Sequence, residues 1–590
     1  VTVYYRRFPQ NYDADNYAVL RTRVGKAGAI AHCYGRSTAG DGGEGAFTWH
    51  DGTAKTDDDG TVLAVFVGGV QVGYWERAGV GDVDPRWFGA DLSGVADNSA
   101  IFNSVTSVLT AIGGGRVVFR AGTYKIATNG TYFNVAGLRV ILVFDPGAKF
   151  LIEASSVLIY GEVVAGAYQE VFSLSSTYMP TLYPGTGALN NPGIRLNPYW
   201  FGAKGDNTTD DTLAWQRCLD QASGVTAYNP NGKSARPATF SVPSGNFRIT
   251  STLYLTGTNR AILWKGFGAA DINGSDTLVR WDGAFEGTLL LTQGLVNSRF
   301  ERISFEGGSA ETYDSTGAIA SGGGTGASYL VRMITQTTGV IFEHCSFNGT
   351  NTTDADGAMV AMGEIAGPGS QVDDVMLLNC KAGKGRRAFA FLEGANVLNV
   401  SIVGGQYGLG KVVDMFDFSF NEGVSRVRDV FIAAVSGTIF KCGSKTLIEG
   451  IRAECEQFGT SQNCIIASSS GANKGRPGAS LSIRDSDFYI NRETDNWVVQ
   501  YEGGSLNLDS VRFYNQNSIV GSTKQAWILG FAKHAESSVT TEWGSIRSRN
   551  CFYHRVTDVA PIYDGSAQRY LFPQDGVDVR RDAELYPYGF

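Results

Sequence analysis

Proline and charge are both scarce in this chain: 15 prolines and only 18% charged residues among 590, against a usual charged share of ~25%. A disordered chain needs the opposite balance, and the 43% hydrophobic content excludes it. No apolar run reaches the ~18 residues that a membrane-spanning helix requires, so membrane insertion is not expected. Dense basic runs are missing too, and a net charge of -8 with a pI of about 5.4 argues against nucleic acid as a partner. The opening Val1-Thr-Val-Tyr-Tyr-Arg-Arg lacks the apolar core of a secretion signal. The eight cysteines form no Cys-x-x-Cys pair, so neither a zinc site nor another metal or cofactor is expected. They read as reduced, mostly buried thiols of a protein folded in a cytosol.

Glycine is what the chain has in excess: 76 residues, about 13% against a usual ~7%. The glycines keep no period of three, which excludes collagen. With 12% aromatics, they point to a turn-rich β protein. At this length the chain needs two to four domains, or a repeat that stretches one.

A duplication is visible. Asp84-Pro-Arg-Trp-Phe-Gly-Ala returns as Asn197-Pro-Tyr-Trp-Phe-Gly-Ala. Each copy continues through a glycine turn into a helix, with Asp97 or Asn98, and Thr209 or Asp210, as the expected N-caps. In the second helix Leu213, Trp215, Cys218 and Leu219 recur at helical spacing. A short strand, a turn and another strand follow: Val117-Val-Phe-Arg-Ala-Gly-Thr-Tyr-Lys-Ile in one copy, Phe240-Ser-Val-Pro-Ser-Gly-Asn-Phe-Arg-Ile in the other.

Beyond residue 285 a coarser repeat takes over. Its segments include Ser298-Arg-Phe-Glu-Arg-Ile-Ser-Phe, Val340-Ile-Phe-Glu-His-Cys-Ser-Phe, Leu481-Ser-Ile-Arg-Asp-Ser-Asp-Phe and Leu506-Asn-Leu-Asp-Ser-Val-Arg-Phe. Starts lie roughly 22 to 42 residues apart, the range of a solenoid. Period-two strands broken by Gly, Asn and Ser turns make it a β-solenoid. Cys345 and Cys380 fall at equivalent points of neighbouring rungs, which predicts an inward stack with the aliphatics rather than reactive thiols.

The Trp200-Phe-Gly-Ala-Lys-Gly-Asp block with Asp210-Asp-Thr, followed by Val242-Pro-Ser-Gly-Asn-Phe-Arg-Ile, resembles the opening of the pectate-lyase superfamily, as found in bacteriophage tailspikes and capsule depolymerases. In the first copy Leu92-Ser-Gly-Val-Ala-Asp departs from that pattern, as a degenerate neck would. The resemblance implies an all-β, right-handed parallel β-helix of roughly ten rungs. The expected parts are a particle-binding head (1–83), a neck (84–196), a glycan-binding β-helix (197–534) and a C-terminal cap (535–590), where the rung pattern is expected to be lost. It also implies a homotrimeric virion tail protein that joins other tail proteins through its head. Its partner would be a host surface polysaccharide, capsule or lipopolysaccharide O-chain, cleaved by hydrolysis. A non-catalytic receptor-binding adhesin and a polysaccharide lyase are the alternatives.

Hydrolysis requires two carboxyl groups across a sugar bond, ~5 to ~9.5 Å apart. On a β-helix, residues one rung apart become neighbours at ~4.8 Å. Glu393, Asp414 and Asp417, joined by Glu422, make the best catalytic cluster, and the apolar setting of Val412-Val-Asp-Met-Phe-Asp-Phe-Ser-Phe favours raising one pKa. Asp-x-x-Asp beside a Glu also resembles the acids of some tailspike endoglycosidases. A straight strand points Asp414 and Asp417 to opposite faces, so both serve only where the chain bends between them. The plain alternative makes them solvated acids of the outer wall.

Tyr407, Phe416 and Trp497 are the expected sugar-stacking residues. Glu364, Asp373 with Asp374, and Glu454 with Glu456 are rival acids, the last pair suited to an intersubunit groove. A lyase would draw its base and its carboxylate-binding cations from Lys381-Ala-Gly-Lys-Gly-Arg-Arg. His344 is expected in a strand beside Cys345, in a packing role. Asp206, Asp210 and Asp211 suit helix capping better than chemistry. Neither a Ser/His/Asp arrangement nor a phosphate-cradling loop is apparent.

Overall fold

Alternation in the repeated segments sends every second side chain inward, and one left-handed residue then turns the chain onto the next face. The computed structural model describes residues 12–175 continuously, then 179–183, 194–223, 238–267 and 277–308 apart from 285; beyond these it describes the strands and corners of each rung as far as 581. The chain divides into two compact units, residues 1–202 with 224–231 and residues 203–223 with 232–590.

In the first unit, strands Ile30–Cys33, Gly45–Asp51, Val62–Val67 and Val70–Arg77 form one antiparallel sheet. Its core holds Tyr17, Phe47, Leu63 and the edge-to-face pair Trp49 and Trp75, with ring centroids 5.2 Å apart. Arg77 is buried among these rings. Its guanidinium lies 4.6 Å from Phe47 and 4.3 Å from Trp87, and it donates to the carbonyls of Gly43 and Glu44 at 2.8 Å each. A buried cation persists because aromatic faces and carbonyls replace its water. A short β-helix of parallel strands follows in this unit, behind the helix Ser99–Ile112.

The duplication is structural as well as sequential. The N-cap positions are Asn98 and Asp211, whose carbonyls accept from Phe102 N–H and Trp215 N–H, and not Asp97 or Asp210; these two acids stand one residue earlier and accept from Ser99 N–H and Thr212 N–H, each at 3.0 Å. Asn98 accepts from Asp91 N–H at 2.7 Å just as Asp211 accepts from Lys204 N–H at 2.6 Å, closing the glycine turn. Burial pushes Asp210 up, but hydrogen bonds from Thr212 and Thr250 outweigh it and hold this carboxyl below its usual range. Local bonds to backbone amides at the helix starts therefore account for these acids.

The second unit is the expected parallel β-helix. Its first sheet runs from Ala238–Val242 to Ser545–Arg549, its second from Asp206–Asp210 to Val579–Arg581 and its third from Leu253–Arg260 to Trp527–Phe531. Between first-sheet and second-sheet strands one residue takes positive φ in rung after rung: Arg302, His344, Asn379, Gly404, Asp429, Gly450, Asp485, Ser510 and Asn550. Asn, Asp and Gly tolerate this conformation best. Its amide bonds to the next rung, as from Asn379 to Val403 O at 2.8 Å. His344 is one of these corners and is exposed, rather than packed within a strand.

Except at Gly405, the residue after a corner points inward. Ile303, Cys345, Cys380, Val430, Ile451, Val511 and Cys551 are all buried there. The cysteines thus stack with the aliphatics as expected, and burial pushes the Cys380 thiol well above its ordinary value. A second inward column stacks Trp264, Phe300 and Phe342 along the first sheet, with Phe300 and Phe342 4.8 Å apart. Burying each such ring contributes about 1.5–3 kcal/mol. The rung pattern does not end at 534. Ser545–Arg549 and Cys551–His554 still pair in register with the rung before them, because their alternation is preserved.

Candidate functional site

The strand Val412–Phe418 lies in the third sheet between Gly385–Phe391 and Phe440–Cys442. Successive amides of a regular strand point to opposite neighbours. Here Met415 and Phe416 both donate to the following rung, to Thr438 O and Ile439 O at 2.9 Å each. That break is the bend which a joint role for Asp414 and Asp417 requires.

On either side of the break, both acids meet cations. Asp414 Oδ1 accepts from Thr438 N–H at 2.9 Å, while Oδ2 accepts from Lys441 Nζ at 3.0 Å with Arg386 Nη2 3.6 Å away. Asp417 Oδ2 accepts from Arg387 Nη1 at 3.0 Å, and its Oδ1 accepts from Ser419 N–H at 3.2 Å and Oγ–H at 2.7 Å. The pairings cross. Lys441 stands in register with Asp417 but bonds Asp414, and Arg387 stands in register with Asp414 but bonds Asp417. The two acids therefore border one stretch of wall.

Asp414 and Asp417 are 2% and 6% exposed, so they are not the solvated wall acids of the plain alternative. Removing such ions from water costs several kcal/mol each, offset only by close pairing. Arg387 gains a further bond to Gly357 O at 3.1 Å. Three cations face two carboxylates here, and the side chains of Arg386 and Lys441, 24% and 26% exposed, carry the excess charge to the surface. Arg386 and Arg387 belong to the basic run expected to serve a lyase, so the acidic and basic candidates form one cluster. Every carboxylate oxygen already has a donor. Acid–base chemistry at Asp414 would require a ligand to draw Lys441 away.

Tyr407 and Phe416 are corrected by the structure. Each is 1% exposed, and their rings pack on each other in the interior at 5.2 Å, so neither presents a face to sugar. The doubled inward residues at the break put Phe416 inside. Burial pushes the Tyr407 phenol well up. Trp497 begins the strand Trp497–Tyr501, in register with Trp527; its side chain lies outside the described residues, as do Glu393, Glu422, Glu364 and Glu456. Asp373 accepts from Asp374 N–H at 2.8 Å and Asn399 N–H at 3.1 Å, which makes it a turn-stabilising acid.

Glu454 belongs to a different surface. Strands Arg452–Cys455, Asp487–Ile490 and Arg512–Asn515 are successive rungs of the second sheet. Ala453, Phe488 and Phe513 point inward and are buried. The alternating positions form an outward grid: Arg452, Asp487 and Arg512 in one column, Glu454, Tyr489 and Tyr514 in the next. The tyrosine rings stack 5.0 Å apart at 9°, and the Arg452 guanidinium lies 5.2 Å from the Tyr489 ring. Arg452 donates to Glu454 at 2.9 Å, and Arg512 pairs with Asp487. The acid rivals drew attention only to Glu454. A usable signal was present: Asp487-Phe-Tyr and Arg512-Phe-Tyr repeat at aligned positions, and an inward Phe obliges the adjacent Tyr to face out.

No family model and no curated protein matches the sequence. Among solved structures, similarity is found to the ORF18 protein of Geobacillus virus E2, at 13% identity over 58% of this chain and 62% of that one, with a TM-score of 0.31. The enzymatically active domain of tailspike protein 2 of bacteriophage CBA120 shows 13% identity over 92% of this chain and 56% of its own, with a TM-score of 0.20. The catalytic unit of an α-1,3-glucanase of Streptomyces thermodiastaticus shows 11% identity over 82% and 72%, with a TM-score of 0.29. The chain thus spans under two thirds of the length of the first two. At these scores neither substrate nor mechanism transfers from them.

Proposed function

We propose that this chain is a virion tailspike that holds a host surface polysaccharide against its β-helical wall and shortens it by hydrolysis. The observation that carries the reading is the break at Met415 and Phe416, which brings two acids and three cations to one patch of the wall. The opening motif at Trp200 and Asp210-Asp-Thr supports the tailspike class. In the proposed reaction one of Asp414 and Asp417 protonates the leaving sugar oxygen while the other removes a proton from the attacking water. Glu393, 21 residues before Asp414 in the sequence, is proposed as their partner. Trimeric assembly and attachment through residues 1–83 belong to the same proposal.

The pairing of every carboxylate oxygen favours a second reading, an adhesive spike that binds glycan without cutting it. One experiment decides between them. The purified chain is incubated with capsular polysaccharides and lipopolysaccharide O-chains of candidate hosts, and the products are sized. Shortened chains without new double bonds support hydrolysis, unsaturated ends the lyase, and bound but full-length glycan the adhesin. If hydrolysis holds, Asp414→Asn and Asp417→Asn each lower turnover by about 10²-fold or more. Full activity in both variants rules out these acids.

A further inference from the structure

We propose that the outward grid of the second sheet, built on Arg452, Glu454, Asp487, Tyr489, Arg512 and Tyr514, is a glycan-binding ledge separate from the charged patch of the third sheet. This rests on the polysaccharide reading and adds a place of attachment to it. Parity fixes the orientation, since Phe488 and Phe513 are buried in the interior between outward neighbours. Tyr489 and Tyr514 spend ring faces on each other and on Arg452. The column thus sets phenol rings with polar tips beside charged groups, a setting that suits a hydroxyl-rich molecule better than a flat apolar one. Guanidinium forks and carboxylates beside them match neighbouring sugar hydroxyls, donating to one and accepting from the next.

Rungs lie about 4.8 Å apart, so Tyr489 and Tyr514 on successive rungs, and Arg452 and Arg512 two rungs apart, meet a polymer of like units at regular spacing. Its two cations and two carboxylates balance, which favours an uncharged stretch of polysaccharide. A second copy of the chain is the competing occupant. Interface cores are depleted of charge, whereas four of these six residues are charged and the side chains of Arg452 and Arg512 are 60% and 54% exposed. That composition favours the glycan.

The test uses the full chain on an array of purified bacterial surface polysaccharides, with light scattering in parallel. Tyr489→Phe combined with Tyr514→Phe keeps the stacked rings and removes only the hydroxyls, so folding is preserved. Arg452→Gln is the second variant. The expected result is binding by wild type, weakened at least about tenfold in each variant, with unchanged mass and little change in salt dependence. Wild-type affinity in both variants overturns the ledge and leaves the polysaccharide reading standing. A fall in molecular mass in either variant also overturns it and assigns the grid to a subunit contact. Absence of any glycan binding by wild type overturns the polysaccharide reading itself, and the ledge with it.

Discussion

Asp417→Ala should loosen the third sheet locally, whatever its effect on turnover. The substitution leaves Arg387, 6% exposed, without the carboxylate that accepts from its Nη1 at 3.0 Å, while its bond to Gly357 O remains. Losing a hydrogen bond between buried charged groups costs about 1.5–3 kcal/mol. Local opening of the strand Val412–Phe418 and its neighbour Gly385–Phe391 should become easier by that amount. At about 1.4 kcal/mol per decade, amide hydrogen exchange there should accelerate by at least about tenfold. Exchange in the capping helix Thr212–Ser223 should not change. Replacing both partners, Arg387→Met with Asp417→Leu, should restore most of the protection, since no charge is then stranded. Hydrogen exchange with peptide-level mass spectrometry measures all three. Unchanged protection in Asp417→Ala would refute the reasoning, and with lost turnover it would mark Asp417 as a group held for chemistry rather than for the wall.

Three further outcomes follow from the same geometry. Gly405, at φ 97, has no room for a side chain, since an added Cβ would strike Cys380 O; Gly405→Ala should therefore cost at least about 1–2 kcal/mol, seen as a lower thermal midpoint and faster exchange at that corner. The buried thiols of Cys218, Cys380 and Cys442, the last pushed up to about 12 by burial, should resist a thiol reagent at pH 8 in the folded chain and react once it is unfolded. Burial of Asp41 raises its pKa, but hydrogen bonds from the amides of Thr38, Arg36, Ser37 and Gly43 outweigh this and hold it at about 2. Its stabilising contribution is thus complete above the unfolded value of ~3.9 and lost as pH falls through about 2; tryptophan fluorescence in an Asp41→Asn variant should show a shallower acid transition across that window.

The sequence alone determined the architecture, because its signals are local. Period-two alternation, the glycine excess and corner residues such as Asn379, Asp429 and Asp485 specify strands and left-handed turns within a few residues of themselves. The starts of the paired helices, to within a residue, and the inward cysteines were legible for the same reason. Which residues meet was decided by tertiary structure. The extra inward residue at Met415 and Phe416 breaks the alternation and turns Phe416 inside, while Tyr407 is inward in register with Ala382 and Ile432 on the second sheet. The partners of Asp414 sit on the rungs before and after it, at Arg386 and Lys441, and rung length rather than local pattern brings them alongside. The stacking of Tyr489 on Tyr514 likewise exists only because two strands, separated in sequence by a whole turn, lie in register one strand apart.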